Sequence, residues 1–224
     1  MSLLVLVRHG RAAFGAARYD TLSPLGRAQA AATGEWLAAH RPDVAAIWRG
    51  PRRRHAETAS EIARAGTISA AVREHPGLDE FAEGEEVFAL ARALEEDRPA
   101  TGATDADLAR RRAYEQAVAA WAAGRASLPG RPGFPAFRRR VRDWFADVTS
   151  VDAPRGRTEL VVTSAGVIAA IACDVLDLPD HRWLEMVRPL LNASLTEVAF
   201  SGGRIGLRSF NACGHLAPAL ISAI

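Results

Sequence analysis

Cysteine is scarce in this 224-residue chain: Cys173 and Cys213 are the only two, and they lie far apart. A disulfide-stapled scaffold is thereby excluded, and reduced, buried thiols of a cytoplasmic protein are expected. Lysine is absent; the 28 basic residues are arginines and alanine is abundant, which reads as genome composition with no bearing on function. No apolar run reaches the roughly 18 residues that suggest a membrane span, so none is expected. Charge of one sign is missing too. Basic and acidic residues number 28 and 26, a net of +2, which gives no whole-protein case for nucleic acid or a membrane as partner. The first residues enter a strand pattern at once, so no secretory leader is expected. The 6 histidines are scattered without the spacings of zinc sites, so neither a metal nor another cofactor is expected. Internal repeats and low-complexity linkers are also lacking.

What is present suffices for a sizeable core in one domain, since 49% of the residues are hydrophobic. Leu3-Leu4-Val5-Leu6-Val7 reads as a strand buried on both faces. It ends in Arg8-His9-Gly10, where open α/β sheets place their chemistry. Arginine offers a fixed fork of donors suited to phosphate. Histidine offers a nucleophile or proton carrier near neutral pH. Glycine allows close backbone approach. The pattern then predicts a helix at about 24–39, with Ser23 as cap and Pro24 at its first position. A strand near 45–48, a helix near 52–65 and a strand near 69–73 follow. This βαβαβ order predicts a mostly parallel central sheet with helices on both faces.

From Gly84 to Gly156 only helical spacing is seen, in Val87/Leu90/Ala91/Leu94, Tyr114/Ala117/Val118/Trp121 and Phe137/Val141/Trp144/Phe145/Val148. The last group reads as core, in a helix returning to the sheet. A strand at Leu160–Thr163, a helix at Gly166–Leu176 and a hairpin around Ser201-Gly202-Gly203 complete the chain.

Further motifs follow the first in order: Leu22-Ser23-Pro24-Leu25-Gly26-Arg27, Arg53-Arg54-His55-Ala56-Glu57-Thr58-Ala59, Leu78-Asp79-Glu80-Phe81 and Asn211-Ala212-Cys213-Gly214-His215-Leu216. The ordered set resembles the histidine phosphatase superfamily, which includes the cofactor-dependent phosphoglycerate mutases. The resemblance spans most of the chain and is weakest at about 84–157. It implies a phosphoglycerate mutase-like α/β fold, as a single domain 1–224. The helical insertion at about 84–157 would cap the active site and choose the substrate. It implies His9 as the nucleophile that becomes phosphohistidine, Arg8 and Arg54 as phosphate ligands, and Glu80 as the acid that protonates the leaving oxygen and then activates water.

Three departures stand out. The family usually places a second histidine after the late central strand; here Ser164 stands there, read either as a phosphate contact or as a local helix cap. Gly50 replaces a common serine ahead of the second arginine. An asparagine often found after the first glycine is missing, with Gly15 near its place. The phosphate cradle is therefore incomplete by family standards, and Ser164→His is expected to raise turnover. His215 is a candidate to approach the site. Arg49, Arg52 and Arg53 read as a solvated basic face around Arg54, and His40, His55, His75 and His181 as surface residues.

The expected activity is metal-independent hydrolysis of phosphomonoesters, on a small phosphorylated molecule or a phosphoprotein. The alternatives are a mutase-type phosphotransferase and a catalytically impaired member that binds phosphorylated ligands.

Overall fold

Strand β1 (Ser2–Arg8) is buried along nearly its whole length, as a central strand covered on both faces must be. The structure, a computed structural model, describes residues 1–13, 20–41, 43–96, 106–152 and 155–223. After β1 come helix α1 (Pro24–His40), strand β2 (Val44–Arg49), helix α2 (Arg53–Ala65) and strand β3 (Ala71–Glu74). Helices α3 (Gly84–Glu96), α4 (Ala106–Ala122) and α5 (Phe134–Val148) follow. Strand β4 (Thr158–Thr163), helices α6 (Ala165–Val175) and α7 (Trp183–Val187), and strands β5 (Leu195–Ser201) and β6 (Arg204–Ala212) complete the order.

The strands form one six-stranded sheet in the order β3-β2-β4-β1-β5-β6. β3, β2, β4 and β1 run parallel; β5 is antiparallel to β1, and β6 is antiparallel to β5 and so runs with the other four. This is the mostly parallel α/β architecture that the alternating pattern predicts. Two details differ from the sequence reading. β3 begins at Ala71 and is exposed throughout, because it is an edge strand paired only with β2. Helix α7 is too short to leave a periodic signal; its Trp183 is fully buried, with Nε1 donating to the Gly166 carbonyl at 2.9 Å.

Alternation along β1 divides the core. Leu3, Val5 and Val7 pack with Ala30 and Leu37 of α1, Ala59 and Ile62 of α2, and Leu160 and Val162 of β4. Leu4 and Leu6, of the opposite parity, are also fully buried, as is Val161. Every residue from Gly166 to Cys173 of α6 is buried, and this helix packs against β1. Helix α1 starts as expected: the Ser23 hydroxyl accepts from the Gly26 N–H at 3.1 Å, and Pro24 occupies the first turn, where its missing N–H costs nothing.

The chain divides into two units by its contacts. Residues 1–79 and 141–224 carry the sheet. Residues 80–140 carry α3, α4 and the start of α5, so α5 belongs to the first unit from Val141 onward. The helical unit is built on aromatics: the buried Trp121 ring stacks on Phe81 at 4.6 Å and meets Phe134 edge-on at 5.5 Å. In the sheet unit, Val141, Trp144, Phe145 and Val148 are buried, matching their reading as core. Among the described residues no helix is long and apolar enough to cross a membrane.

Leu6→Ala should lower the unfolding free energy by about 2–5 kcal/mol, by lost transfer energy plus a cavity. Val72→Ala, on the exposed edge strand, should stay within about 0.5 kcal/mol. Chemical denaturation midpoints of the two variants check this contrast.

Candidate active site

The strand order β2-β4-β1 sets three chain segments side by side at the carboxyl ends of parallel strands. Arg8 pairs with Thr163, and the His9 N–H donates to the Thr163 carbonyl at 2.8 Å. On the other side of β4, the Gly50 N–H donates to the Val162 carbonyl at 3.1 Å. His9, Ser164 and Gly50, each just past the end of its strand, thus become neighbours along one rim of the sheet.

His9 is buried, and both of its ring nitrogens have partners. Nδ1 lies 2.8 Å from the Gly10 carbonyl oxygen. Nε2 lies 3.2 Å from Arg54 Nε, which donates to it. A guanidinium has only donors and a carbonyl only accepts. The proton therefore sits on Nδ1, and Nε2 carries the lone pair. Burial lowers the pKa of His9 well below the ordinary 6.5, the Arg54 and Arg8 cations lower it further, and the Gly10 carbonyl opposes them. At neutral pH the ring is uncharged and nucleophilic at Nε2.

The loop that carries His9 is fixed from both sides. The Gly10 N–H donates to Thr58 Oγ1 at 3.1 Å, and that hydroxyl donates to the Arg54 carbonyl at 2.7 Å. A Cβ on Gly10 would stand 2.4 Å from the Gly26 carbonyl oxygen, so only glycine lets the loop approach α1 this closely.

Carboxylates balance the cationic side of the site. Arg54 Nη1 meets Asp20 at 2.7 Å, and Arg52 Nε meets Asp79 at 2.5 Å. Arg52 is only 5% exposed, so its reading as part of a solvated basic face is corrected: its charge is buried because Asp79 pairs with it. Arg8 Nη1 donates to the carbonyls of Leu190 and Ala223. Asn192 Nδ2 donates to the His9 carbonyl at 3.3 Å. Asp20, Asp79 and Asn192 were not singled out in the sequence, although Asp79 adjoins Glu80 in a motif that was.

His55 requires the largest correction. It is not a surface residue but fully buried, with its ring centroid 5.6 Å from that of His9. Its Nε2 lies 2.7 Å from the hydroxyl of Ser164, itself 1% exposed. Burial holds its pKa well below 6.5, with His9 and then Arg54 adding to the effect. Gly50 makes room: a Cβ there would stand 2.3 Å from His55 Nδ1. Ser164 precedes α6 in the extended cap conformation and its carbonyl accepts from the Ile168 N–H at 3.2 Å, but its hydroxyl makes no capping bond. The expectation that Ser164→His alone raises turnover loses its premise, because an imidazole already lies against Ser164.

Glu80 opens the helical unit one residue after Asp79, and its Oε1 accepts from the Phe81 N–H at 3.0 Å. His215 is engaged on α1, with Nε2 3.1 Å from Thr33 Oγ1 and its ring 5.8 Å from that of Trp36. His40 and His181 are exposed, and His75 is partly buried beside Trp48. Gly15 lies outside the described residues. Among the described residues no three His, Cys, Asp or Glu side chains group as metal ligands.

The model of one family, the histidine phosphatase superfamily (branch 1), matches residues 4–212. No curated protein matches the sequence. Solved structures do. YhfR of Bacillus stearothermophilus is similar with a TM-score of 0.70 and 20% identity, covering 96% of this chain and 99% of its own. The mycobacterial glucosyl-3-phosphoglycerate phosphatase, in complex with inorganic phosphate, gives 0.66 and 24% over 96% and 99%. The phosphoserine phosphatase of Entamoeba histolytica gives 0.66 and 18% over 97% and 100%. At these identities the likeness is one of fold.

Two buried neutral histidines contribute to the pH dependence of stability. Below 6.5 the unfolded rings take up protons that the folded rings refuse. Unfolding then binds protons, so this part of the stability is complete above pH 6.5 and is lost as the pH falls. Each ring contributes a slope of about 1.4 kcal/mol per pH unit between its unfolded and folded values. Urea unfolding of wild type and His9→Ala at several pH values from 7 downward should show a shallower loss in the variant, by the share of one ring.

Proposed function

The chain belongs to branch 1 of the histidine phosphatase superfamily, and we propose that it is a phosphomonoester hydrolase working through a phosphohistidine on His9. The observation that carries this reading is the locked imidazole: Nδ1–H on the Gly10 carbonyl and a lone pair on Nε2 facing Arg54. A module that only binds phosphate has no use for a neutral nucleophile held in one tautomer. The names of two structural neighbours, phosphatases of glucosyl-3-phosphoglycerate and phosphoserine, support hydrolysis ahead of a mutase reaction.

In the first step the Nε2 lone pair attacks phosphorus. A P–N bond forms, the P–O bond to the alcohol breaks, and Glu80 gives its proton to the leaving oxygen. The phosphorylated ring gains a positive charge, which strengthens its Nδ1–H bond to the Gly10 carbonyl. In the second step the Glu80 carboxylate takes a proton from water as the water oxygen attacks phosphorus. The P–N bond breaks and His9 returns neutral. Arg54, Arg8 and the Ser164 hydroxyl are assigned to the phosphoryl oxygens, where charge spreads during transfer. Arg54 moves from His9 Nε2 to an oxygen as the substrate arrives. The reading includes a cytoplasmic location, supported by the scarcity of cysteine in the sequence.

Phosphate release from a panel of phosphomonoesters between about pH 5 and 8 tests the reading. His9→Ala should abolish it. Arg54→Ala should cost about 10²–10³ in rate through a lost oxyanion donor, and Glu80→Gln about 10²–10⁴ through lost acid–base catalysis. Release that survives in His9→Ala overturns the reading.

A further inference from the structure

We propose that His55 and Ser164 work as one unit, with His55 a positioning residue that aims the Ser164 hydroxyl at the phosphoryl group on His9. The inference rests on the phosphohistidine reading above, and four observations of the sheet unit support it.

The first is place. Ser164 follows β4 directly, and β4 pairs with β1 up to Thr163 and Arg8. The His55 ring stands 5.6 Å from the His9 ring. The second is cost. Burying an imidazole is unfavourable unless its polar atoms are matched. His55 is fully buried, yet its Nδ1 has no hydrogen-bond partner among the described residues. An apolar side chain would fill the space more cheaply, so a purely structural role explains it poorly.

The third is the shape of the surroundings. The loop after β2 carries glycine where a Cβ would lie 2.3 Å from His55 Nδ1 and 2.5 Å from the Leu78 carbonyl oxygen. The backbone is thus trimmed to admit the ring. The fourth is the use of the hydroxyl. A serine at a helix start ordinarily caps it with its side chain. The Ser164 hydroxyl makes no such bond and lies 2.7 Å from His55 Nε2.

These observations fit one protonation pattern. With the proton on Nε2, His55 donates to Ser164 Oγ, and the serine O–H is left to donate elsewhere. An anionic phosphoryl oxygen on His9 calls for such a donor. Two of the three departures, Gly50 and Ser164, adjoin His55. An imidazole that the family delivers from the strand end is here delivered from α2, and it acts through a serine.

The test is inorganic phosphate binding to the full chain by calorimetry at pH 7, with thermal melts to confirm folding. His55→Ala and Ser164→Ala should each weaken binding by about ten- to a hundredfold, the worth of a hydrogen bond to a charged group. The double variant should bind no more weakly than either single one, since each breaks the same unit. His55→Gln, whose amide nitrogen reaches the place of Nε2, should keep most of the affinity. His55→Ala/Ser164→His, which moves the imidazole to the strand end, should restore it, whereas Ser164→His alone, with two rings in one space, should not. Folded single variants that bind phosphate like wild type overturn the proposal. So does a double variant with additive losses, or a wild-type protein that does not bind phosphate. Phosphate release is measured separately: its absence in wild type sinks the hydrolase reading, while the binding series still decides the role of His55.

Discussion

The bond from Arg54 Nε–H to His9 Nε2 constrains everything else in the site. A guanidinium cannot accept, so the histidine facing it must present a lone pair. That choice sends the ring proton to Nδ1 and makes the Gly10 carbonyl its partner. It also requires α2 to start close to the end of β1. Thr58 secures this arrangement, accepting from the Gly10 N–H while donating to the Arg54 carbonyl. The close packing of Gly10 on Gly26 ties the same loop to α1. The tautomer of one ring therefore depends on the register of two helices against one strand.

Charge is the second constraint. Arg54 and Arg52 are both buried, and buried cations without partners are strongly destabilising. Asp20 and Asp79 supply the counter-charges. The two histidines stay neutral for the same reason, since a further positive charge in this dry, cationic neighbourhood is unfavourable. The resting site is thus electrostatically balanced while remaining rich in donors, which suits a substrate that brings its own negative charge.

The parallel sheet was legible because its strands are short apolar runs and its first helix has a plain cap in Ser23 and Pro24. His9 and Arg54 were legible because their motifs are local. What escaped depends on contacts between distant segments. His55 follows Arg54 in a run crowded with arginines, which hides that it shares one helical face with Thr58, Ala59 and Ile62, all of them buried. A second clue lay in Gly50 and Ser164, each noted alone; only the fold shows that both touch one imidazole. Asp20 and Arg52 escaped for the same reason, since ion pairing across 34 and 27 residues leaves no periodic trace.

The central claim is that His9 rests neutral, protonated at Nδ1, with its lone pair on Nε2. Nitrogen-15 NMR of the histidine side chains, followed as the pH is lowered through 6.5, tests it most directly, with His9→Ala used for assignment. The account predicts a His9 ring with its proton on Nδ1 that stays neutral well below pH 6.5. A His9 that carries its proton on Nε2, or that titrates at or above 6.5, would contradict it.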